Sequence, residues 1–439
     1  MNKVFKISLI SSLAGFLFGF DTVVISGADK QLQALWNTSD LFHGTFIMSM
    51  ALWGTVLGAI FASYPCNYFG RKNTLIGIGV LYLFSALGSG LSLDPYSFSF
   101  FRFLGGIGVG ASTIAAPTYV SEISPAKKRG QLVALYQFNI VFGILIAFVS
   151  NFLLRDFGTQ PWRWMIGIEA LPSVLYLIGI VSVPKSPRWV LFKKKNLTKA
   201  QAIFKEINGN ELTESEIEEI NLEQDSATSQ KFLFSKTYRF PLILAFLIAF
   251  FNQLSGINAF LYYAPRIFEA AGLQESAALL SSIGIGVTNL IFTLLGLYLI
   301  DKIGRRLLMI IGSIGYILSL SLVSIAFLQG WQGISIPIFL FLFIASHAIG
   351  QGAVIWVFIS EIFPDSLRAQ GQSFGSSVHW ILAALITLFM PIVLSAFSNP
   401  GYVFILFAGM MILQLIFVLF LMPETKGFTL ERLNKLLIK

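Results

Sequence analysis

The sequence predicts an all-α membrane protein with twelve transmembrane helices in two pseudo-symmetric six-helix bundles. Three observations predict this fold. Of the 439 residues, 55% are hydrophobic and only 12% are charged, about half the charged fraction of a soluble domain. Twelve apolar segments have roughly the 20 residues that a helix needs to cross a bilayer. Several short motifs occur twice, once in each half of the chain and in the same order.

The apolar segments follow one another with short connections, except for one long charged stretch. We place the spans at residues 7–27, 43–64, 74–92, 96–120, 132–154, 163–183, 241–268, 277–300, 307–328, 335–360, 370–397 and 401–422. The sequence therefore predicts an N-terminal bundle at 1–183, a cytoplasmic linker with short helices at 184–240, a C-terminal bundle at 241–422 and a cytoplasmic tail at 423–439. The first apolar stretch contains Asp21 and lacks a clear cleavage site, so we interpret it as a retained helix.

The positions of the 30 Lys and Arg residues predict the orientation. Most of them lie in the segments that face the cytoplasm if the N-terminus does, which is the usual bias of membrane proteins. Both termini are therefore expected in the cytoplasm, in a multi-pass protein of the cell (inner or plasma) membrane. The net charge of +8 does not indicate nucleic-acid binding, because the basic residues lie in short loops rather than on one solvated face.

The two halves of the sequence resemble each other at the ends of matching spans. Residues 67–72, Asn-Tyr-Phe-Gly-Arg-Lys, correspond to residues 301–306, Asp-Lys-Ile-Gly-Arg-Arg. The Ser-Glu-Ile-x-Pro motif that contains Glu122 recurs around Glu361, 239 residues later. A duplicated six-span unit in the same orientation is typical of transporters that bind their substrate between the two halves.

These motifs resemble those of the sugar porter family in the major facilitator superfamily, including bacterial proton–sugar symporters and facilitative glucose transporters. The resemblance covers almost the whole chain and rests on Gly19–Gly27, Arg102–Gly110, Pro184–Arg188, Gln253–Asn258 and Pro423–Gly427, besides the repeated loops. It implies the major facilitator fold. The chain departs from the family pattern at several positions, which are Asn67, Lys185, Asn252, Gln351, Ala353 and His379. The first two weaken a cytoplasmic salt-bridge pattern, and changes near the expected sugar site leave the identity of the sugar open.

Charged residues inside the spans are candidates for proton coupling. Placing an Asp at the centre of a membrane helix costs about 2.5–3.5 kcal/mol on insertion scales, so we expect Asp21 to have a specific role. Arg102 in the fourth span is its expected partner. Pairing with Arg102 favours the ionised carboxylate, whereas separation in a buried site favours the protonated acid. The alternative is a static ion pair that only fixes packing. Glu169, in the sixth span, matches a family acid and is expected to join a proton path or to serve packing.

Uncharged carboxamides deep in the spans are candidates for sugar binding. Sugar hydroxyls need amide partners and sugar rings need aromatic faces. Gln253 and Asn258 are five residues apart, so they would face the same way only if the seventh helix were unwound near Gly256. The resemblance implies sugar contacts for most of the candidate set, which comprises Phe18, Gln137, Asn252, Gln253, Asn258, Asn289, Trp356, His379 and Trp380. For any single one of the polar residues the alternative is an interhelical hydrogen bond.

Two further groups are candidates for gates. Tyr262 and Tyr263 match a family pair and predict an outer gate that closes over bound sugar. Charged residues at the inner ends of the spans predict an inner gate of ion pairs between the halves, formed by Arg71, Glu122, Arg129, Arg305, Arg306, Glu361 and Arg368. The alternative for this set is simple anchoring at the membrane surface.

The sequence thus predicts a secondary active sugar transporter that couples a monosaccharide, a hexose or a pentose, to protons by alternating access. A proton-independent uniporter of sugars or polyols is the main alternative, and a non-transporting sugar sensor is a weaker one. No nucleophile–base pair suggests an enzyme, and one Cys with three scattered His gives no metal-site spacing, so we expect no cofactor. The expected partners are a small-molecule sugar, protons and the lipid bilayer, with the protein as a monomer.

Overall fold

The structure, a computed structural model, describes residues 3–125, 128–209, 217, 233–331, 333–364, 367–427 and 437. Among them, eleven helices are long and apolar enough to span a membrane, and two further helices that meet at 41° make a twelfth span. We number the spans α1 to α12, and they run over Lys3–Trp36, Asp40–Met48 with Met50–Phe61, Arg71–Leu91, Pro95–Ile123, Arg129–Leu154, Pro161–Ser182, Lys236–Ala270, Glu275–Ile303, Arg305–Leu328, Ser335–Glu361, Arg368–Ala396 and Gly401–Phe420. The predicted all-α membrane fold is confirmed.

The predicted spans agree with these helices to within several residues, apart from the end of α1. We predicted that the first span ends at residue 27, but α1 continues to Trp36. The additional turns are polar, and they are stabilised because Asp29 and Gln33 bind Arg266. A hydropathy criterion stops where polar residues begin, and so it missed turns that are held by side-chain pairs.

The chain forms two compact units. The first comprises Met1–Asp21, Trp53–Ile144 and Ile166–Lys231, and the second comprises Thr22–Leu52, Leu145–Met165 and Phe232–Lys439. Boundaries between these units fall within α1, α2, α5 and α6, so the units differ from the predicted bundles. The predicted division at 1–183 and 241–422 stays a prediction about which parts of the chain move together.

Glycines allow the helices of the first unit to approach closely. A Cβ on Gly110 of α4 would lie 2.2 Å from the carbonyl oxygen of Thr55 on α2, and a Cβ on Gly19 of α1 would lie 1.9 Å from that of Ile140 on α5. The glycine-rich run that contains Gly110 therefore serves helix packing, as expected for small residues at membrane helix interfaces. This packing fixes the part of α1 that carries Asp21.

Two spans of the second unit are interrupted near polar residues. The regular helix of α7 ends at Leu254, and a second segment begins at Ile257 after Gly256, whose φ is +84°. Only glycine adopts this left-handed backbone without strain, so the predicted break near Gly256 is confirmed. α10 contains a π-helical turn at Ala348–Gly352, a feature often found at functional sites.

The predicted linker at 184–240 begins with two short helices, Pro187–Lys194 and Leu197–Asn208. They pack on each other through Trp189, Val190 and Ala200. Residues 210–216 and 218–232 of the linker lie outside the described residues, as do 428–436 and 438–439 of the predicted tail.

Candidate functional site

A buried ion pair joins α1 and α4 in the first unit. Arg102 Nη1 donates to Asp21 Oδ1, and Arg102 Nη2 donates to the backbone carbonyl of Asp21 at 3.0 Å. Both side chains are only 1% exposed. The guanidinium of Arg102 thus contacts both the carboxylate and the backbone carbonyl of Asp21. This is the pairing that the sequence predicts.

A second acid lies beside this pair. Glu169 is completely buried at the break between two helical segments of α6, Pro161–Gly167 and Ala170–Ser182. Its electrostatic neighbours are Asp21 and Arg102. With both acids ionised, the three residues carry one net negative charge in a buried site, which is unfavourable. One proton on either carboxyl makes the group neutral.

Carboxamides cluster at the break in α7. Asn258 Nδ2 donates to Gln253 Oε1 at 2.7 Å, and Gln253 Nε2 donates to Asn252 Oδ1 at 2.9 Å. Because Gly256 changes the direction of the backbone, side chains five residues apart meet here. All three amides are buried, and their hydrogen bonds satisfy part of their polar capacity.

Aromatic rings from α10 and α11 border these amides. His379 lies with its ring nitrogens 3.1 and 3.2 Å from Gln253 Nε2. The ring centroid of Trp356 is 5.0 Å from that of His379, and the ring of Trp380 is 4.6 Å from it in an edge-to-face arrangement. Amides beside aromatic faces are the combination that binds a ring bearing several hydroxyl groups.

Six of the nine predicted substrate residues thus belong to one cluster in the second unit. Asn289 does not share these hydrogen bonds, and its Oδ1 accepts one at 3.3 Å from Thr293 Oγ1 on the same helix. Phe18 and Gln137 belong to the first unit, where Phe18 is buried and Gln137 is half-buried.

The two predicted outer-gate tyrosines are buried in the second segment of α7. The Tyr263 hydroxyl donates to the Thr387 carbonyl on α11 at 2.8 Å, and the backbone at Tyr263 is non-helical. Tyr262 is 1% exposed. Both side chains are therefore packed against neighbouring helices of the second unit.

A charged cluster that the sequence analysis missed connects α1, α2 and α7. Asp29 Oδ1 accepts from Arg266 Nη2 at 2.9 Å and lies 2.7 Å from His43 Nε2, and Asp29 Oδ2 is 2.7 Å from Arg266 Nε. Arg266 also donates to Gln33 at 2.6 Å, and Lys30 contacts Glu269. The signal available in the sequence was an acid, a histidine and an arginine close to the ends of predicted spans.

The predicted inner-gate residues form two matching clusters, one in each unit. In the first unit, Arg71 donates from Nε to Glu122 at 2.9 Å and from Nη1 to Asn67 at 3.1 Å. Ser186 donates to the other oxygen of Glu122 at 2.5 Å. Glu122 therefore pairs with Arg71, and the Nε of Arg129 has no hydrogen-bond partner among the residues described.

The second unit repeats this arrangement with one addition. Arg305 donates to Glu361 at 2.8 Å and to Asp301 at 2.9 Å, and Thr425 donates to Glu361 at 2.6 Å. Glu424 additionally accepts hydrogen bonds from the backbone nitrogens of Arg305 and Arg306, both at 3.0 Å, at the start of α9. A carboxylate at this position accepts hydrogen bonds from the free N–H groups of the first helical turn and interacts favourably with the positive end of the helix dipole.

The remaining two inner-gate candidates bind backbone carbonyls. Arg306 Nε donates to Val418 at 3.1 Å, and Arg368 Nε donates to Ser360 at 3.0 Å. Lys185 takes the place in the first repeat that Glu424 has in the second, so a lysine stands where the second unit has a capping acid. Instead, the Trp189 ring covers Gly70 before α3, and its Nε1 donates to the Asn67 carbonyl at 2.9 Å.

Comparisons with known proteins place the chain in a family. The family model described as "Sugar (and other) transporter" matches residues 7–437. The arabinose-proton symporter of Bacillus subtilis is 35% identical over 100% of this chain and 96% of its own length, and the D-xylose-proton symporter of Escherichia coli is 32% identical over 99% and 96%. The inward open structure of the Escherichia coli xylose transporter matches with a TM-score of 0.88 at 32% identity, covering 99% of this chain and 100% of that one.

A structure of the same Escherichia coli protein bound to 6-bromo-6-deoxy-D-glucose, which is described as a major facilitator superfamily proton:xylose symporter, matches with a TM-score of 0.83 over 99% of both chains. Its sequence is 32% identical to this one. The fold, the membrane spans and the motifs at their ends agree with these matches. The chain therefore belongs to the sugar transporter family of the major facilitator superfamily.

Proposed function

We propose that the chain is a proton-coupled symporter of a monosaccharide, a hexose or a pentose, that works by alternating access. The observation that carries this proposal is the buried group of Asp21, Glu169 and Arg102, in which two acids share one base. A group of this kind is neutral with one bound proton and charged without it. The proton-symporter names of the arabinose and xylose relatives support the same function.

The sugar binds at the cluster of amides and aromatic rings in the second unit. Gln253, Asn258 and His379 supply hydrogen-bonding atoms for hydroxyl groups, and Trp356 and Trp380 supply apolar faces. Asn252 and Asn289, in the same unit, complete the proposed site, and Phe18 and Gln137 of the first unit stay sugar-binding candidates from the family resemblance. Because the residues named for this cluster include no Asp, Glu, Lys or Arg, its chemistry favours a neutral polyhydroxylated ligand over a sugar phosphate or a sugar acid.

The proton controls the state of the Asp21–Arg102 pair. Protonation of Asp21 removes the charge that holds Arg102, and a guanidinium released in this way can form other contacts as the protein changes conformation. In this proposal Glu169 receives or passes the proton, which is supported by its electrostatic interaction with Asp21. Sugar and proton then leave on the same side. The reason is that an Asp21 carboxylate that has lost its proton and is not paired with Arg102 is too costly to bury.

Gating uses groups near the two ends of the spans. Tyr262 and Tyr263 form the outer gate, together with the Asp29–Arg266 pair. We assume that both termini lie in the cytoplasm, which puts the clusters around Arg71 and Arg305 on the inner side. These clusters form the inner gate. The protein acts as a monomer in the lipid bilayer of the cell membrane.

Radiolabelled uptake into proteoliposomes tests this function. With an inward proton gradient, wild-type protein should accumulate D-xylose, D-glucose or L-arabinose above the external concentration. Asp21→Asn should abolish accumulation while sugar exchange at equal pH survives, because the substitution removes the proposed proton-binding carboxyl group and leaves the sugar site in place. Uptake is measured for each sugar with and without the gradient.

The matched control is Asp94→Asn, at an exposed acid that caps α4 through the backbone nitrogens of Tyr96 and Ser97. Asparagine is an equally good cap, so this variant should accumulate sugar as the wild type does. Wild-type uptake that equilibrates without accumulation, at a rate that the gradient does not change, would make the protein a uniporter and reduce Asp21–Arg102 to a structural pair.

A further inference from the structure

A chain of buried amides continues from the proposed sugar site to α9. Asn252 Nδ2 donates to Gln351 Oε1 at 3.4 Å, Gln351 Nε2 donates to Gln414 Oε1 at 2.9 Å, and Gln414 Nε2 donates to Ser313 Oγ at 2.8 Å. The Ser313 hydroxyl donates in turn to the Met309 carbonyl at 2.7 Å. All of these side chains are at most 2% exposed.

The hydrogen bonds in this series of amides all run in one direction. Starting at Asn258, every amide donates to the next residue and accepts from the previous one, through Gln253, Asn252, Gln351 and Gln414. The last acceptor is a backbone carbonyl, which cannot donate. If one amide turned over, it would place two N–H groups or two oxygens against each other in a dry site, at the cost of an unsatisfied polar group. The fixed end at Ser313 therefore selects the orientation of every amide before it.

This orientation decides what Gln253 offers to a ligand. Its two N–H groups are directed at Asn252 and His379, and one lone pair of Oε1 accepts from Asn258. A carbonyl oxygen has two lone pairs, so the remaining capacity of Gln253 is one acceptor site. A sugar hydroxyl that meets Gln253 must then donate its proton.

We propose that Ser313, Gln414 and Gln351 are positioning residues that set the hydrogen-bond polarity of the sugar site through this amide relay. The proposal rests on the proposed function, because it assigns the relay to sugar recognition. It makes Gln351, in the π-helical turn of α10, the link between the site and two residues that lie behind it. A site with this polarity selects sugars by whether they present a donor at one position.

The experiment compares Ser313→Ala with Ser319→Ala, a matched pair on α9. Both serines are completely buried, and both donate to the carbonyl four residues before them. Of the two, and among the residues that the structure describes, only Ser313 accepts a hydrogen bond from a side-chain amide. Affinities for D-xylose, D-glucose and their monofluoro-deoxy analogues are measured by tryptophan fluorescence in detergent, together with the Tm of each variant. Fluorine accepts weakly but cannot donate, so the analogues report the polarity of the site.

For the wild type, we expect fluorination at one hydroxyl position to weaken binding more than fluorination elsewhere. Ser313→Ala should weaken binding of the parent sugar by about threefold to tenfold, the worth of a neutral hydrogen bond, and should reduce the preference for hydroxyl over fluorine at that position. Ser319→Ala should keep both properties. Gln414→Met, which removes the amide at similar volume, should reproduce the loss of preference even if its Tm falls.

Three results would overturn the relay, and they have different consequences for the proposed function. If the wild type binds sugars and Ser313→Ala and Gln414→Met keep its hydroxyl preference, the relay is wrong and the proposed function stands. If the wild type binds none of these sugars while it is folded, the proposed function fails and the relay fails with it. A fall in Tm without a change of preference indicates a structural role only, which also contradicts the proposal.

Discussion

Asp29 is buried although it lies in the polar last turns of α1, because His43 and Arg266 bind its two oxygens. Such a carboxylate contributes to stability only while its partners stay in place. Removing one partner of a buried pair leaves a charge without compensation. The neighbouring Lys30–Glu269 pair differs, because the Lys30 side chain is 53% exposed and water screens it.

We therefore predict that Asp29→Asn destabilises the protein by about 3 kcal/mol, the cost of breaking a buried pair. Lys30→Met should cost less than about 1 kcal/mol, because exposed pairs contribute little. Thermal unfolding of both variants in detergent measures the difference. Equal shifts in Tm for the two variants would contradict the importance assigned to Asp29.

The sequence could predict the Asp21–Arg102 pair but not this second one. A charge inside an apolar span needs a partner, and only Arg102 lay in another span at a similar depth. Asp29 lay beyond the predicted end of the first span, where an acid needs no explanation. Its partner Arg266 is 237 residues away in the chain, and no local pattern connects the two positions.

The break in α7 positions the amides of the proposed site. Gly256 has a φ of +84°, and a Cβ there would lie 2.7 Å from the Phe407 ring. Gly272, after the end of the same span, has a φ of +89°, and a Cβ there would meet no atom within 4 Å. The two glycines share the backbone conformation and differ in their surroundings.

We expect Gly256→Ala to weaken sugar binding by about tenfold, because the strained backbone and the displaced ring move Gln253 relative to Asn258. Gly272→Ala carries the same backbone strain without that displacement and should bind sugar as the wild type does. Equilibrium binding of D-xylose to both variants decides the matter. Matching affinities for the two variants would show that the break does not position the amides.

Interruptions of the helices were only partly predictable. The five-residue spacing of Gln253 and Asn258 around a glycine indicated the break in α7. The break at Glu169 in α6 and the π-helical turn in α10 gave no such signal, because a hydropathy window averages over about 20 residues. A lone Gln414 in the most apolar span, α12, was a usable signal for the relay, since a buried amide needs a partner.

Across the whole chain, the repeated motifs correspond to repeated contacts. Arg71 and Arg305, Glu122 and Glu361, and Ser186 and Thr425 form matching hydrogen bonds in their two units. The repeat is broken at Lys185, because the second unit has a capping acid, Glu424, at the matching position. The sequence predicted that the charged motifs at the ends of the spans form ion pairs, because such motifs have few partners within reach, and the pairs described here lie within each unit.

The identity of the sugar could not be predicted from the sequence, for a physical reason. Hexoses and pentoses present the same hydroxyl groups to the same amides, and they differ in size and in the direction of single hydroxyls. Discrimination of that kind depends on sub-ångström placement and on amide polarity. These properties depend on residues such as Gln351 and Ser313, which lie behind the site.

The most direct test of symport measures proton movement that is driven by sugar. Wild-type proteoliposomes with an entrapped pH dye and equal pH on both sides receive external D-xylose, D-glucose or L-arabinose. We predict that the lumen becomes acidic as sugar enters down its gradient, and that Asp21→Asn admits sugar without this change. Entry of sugar into wild-type vesicles with no change in lumenal pH would contradict proton coupling and, with it, the role assigned to Asp21, Arg102 and Glu169.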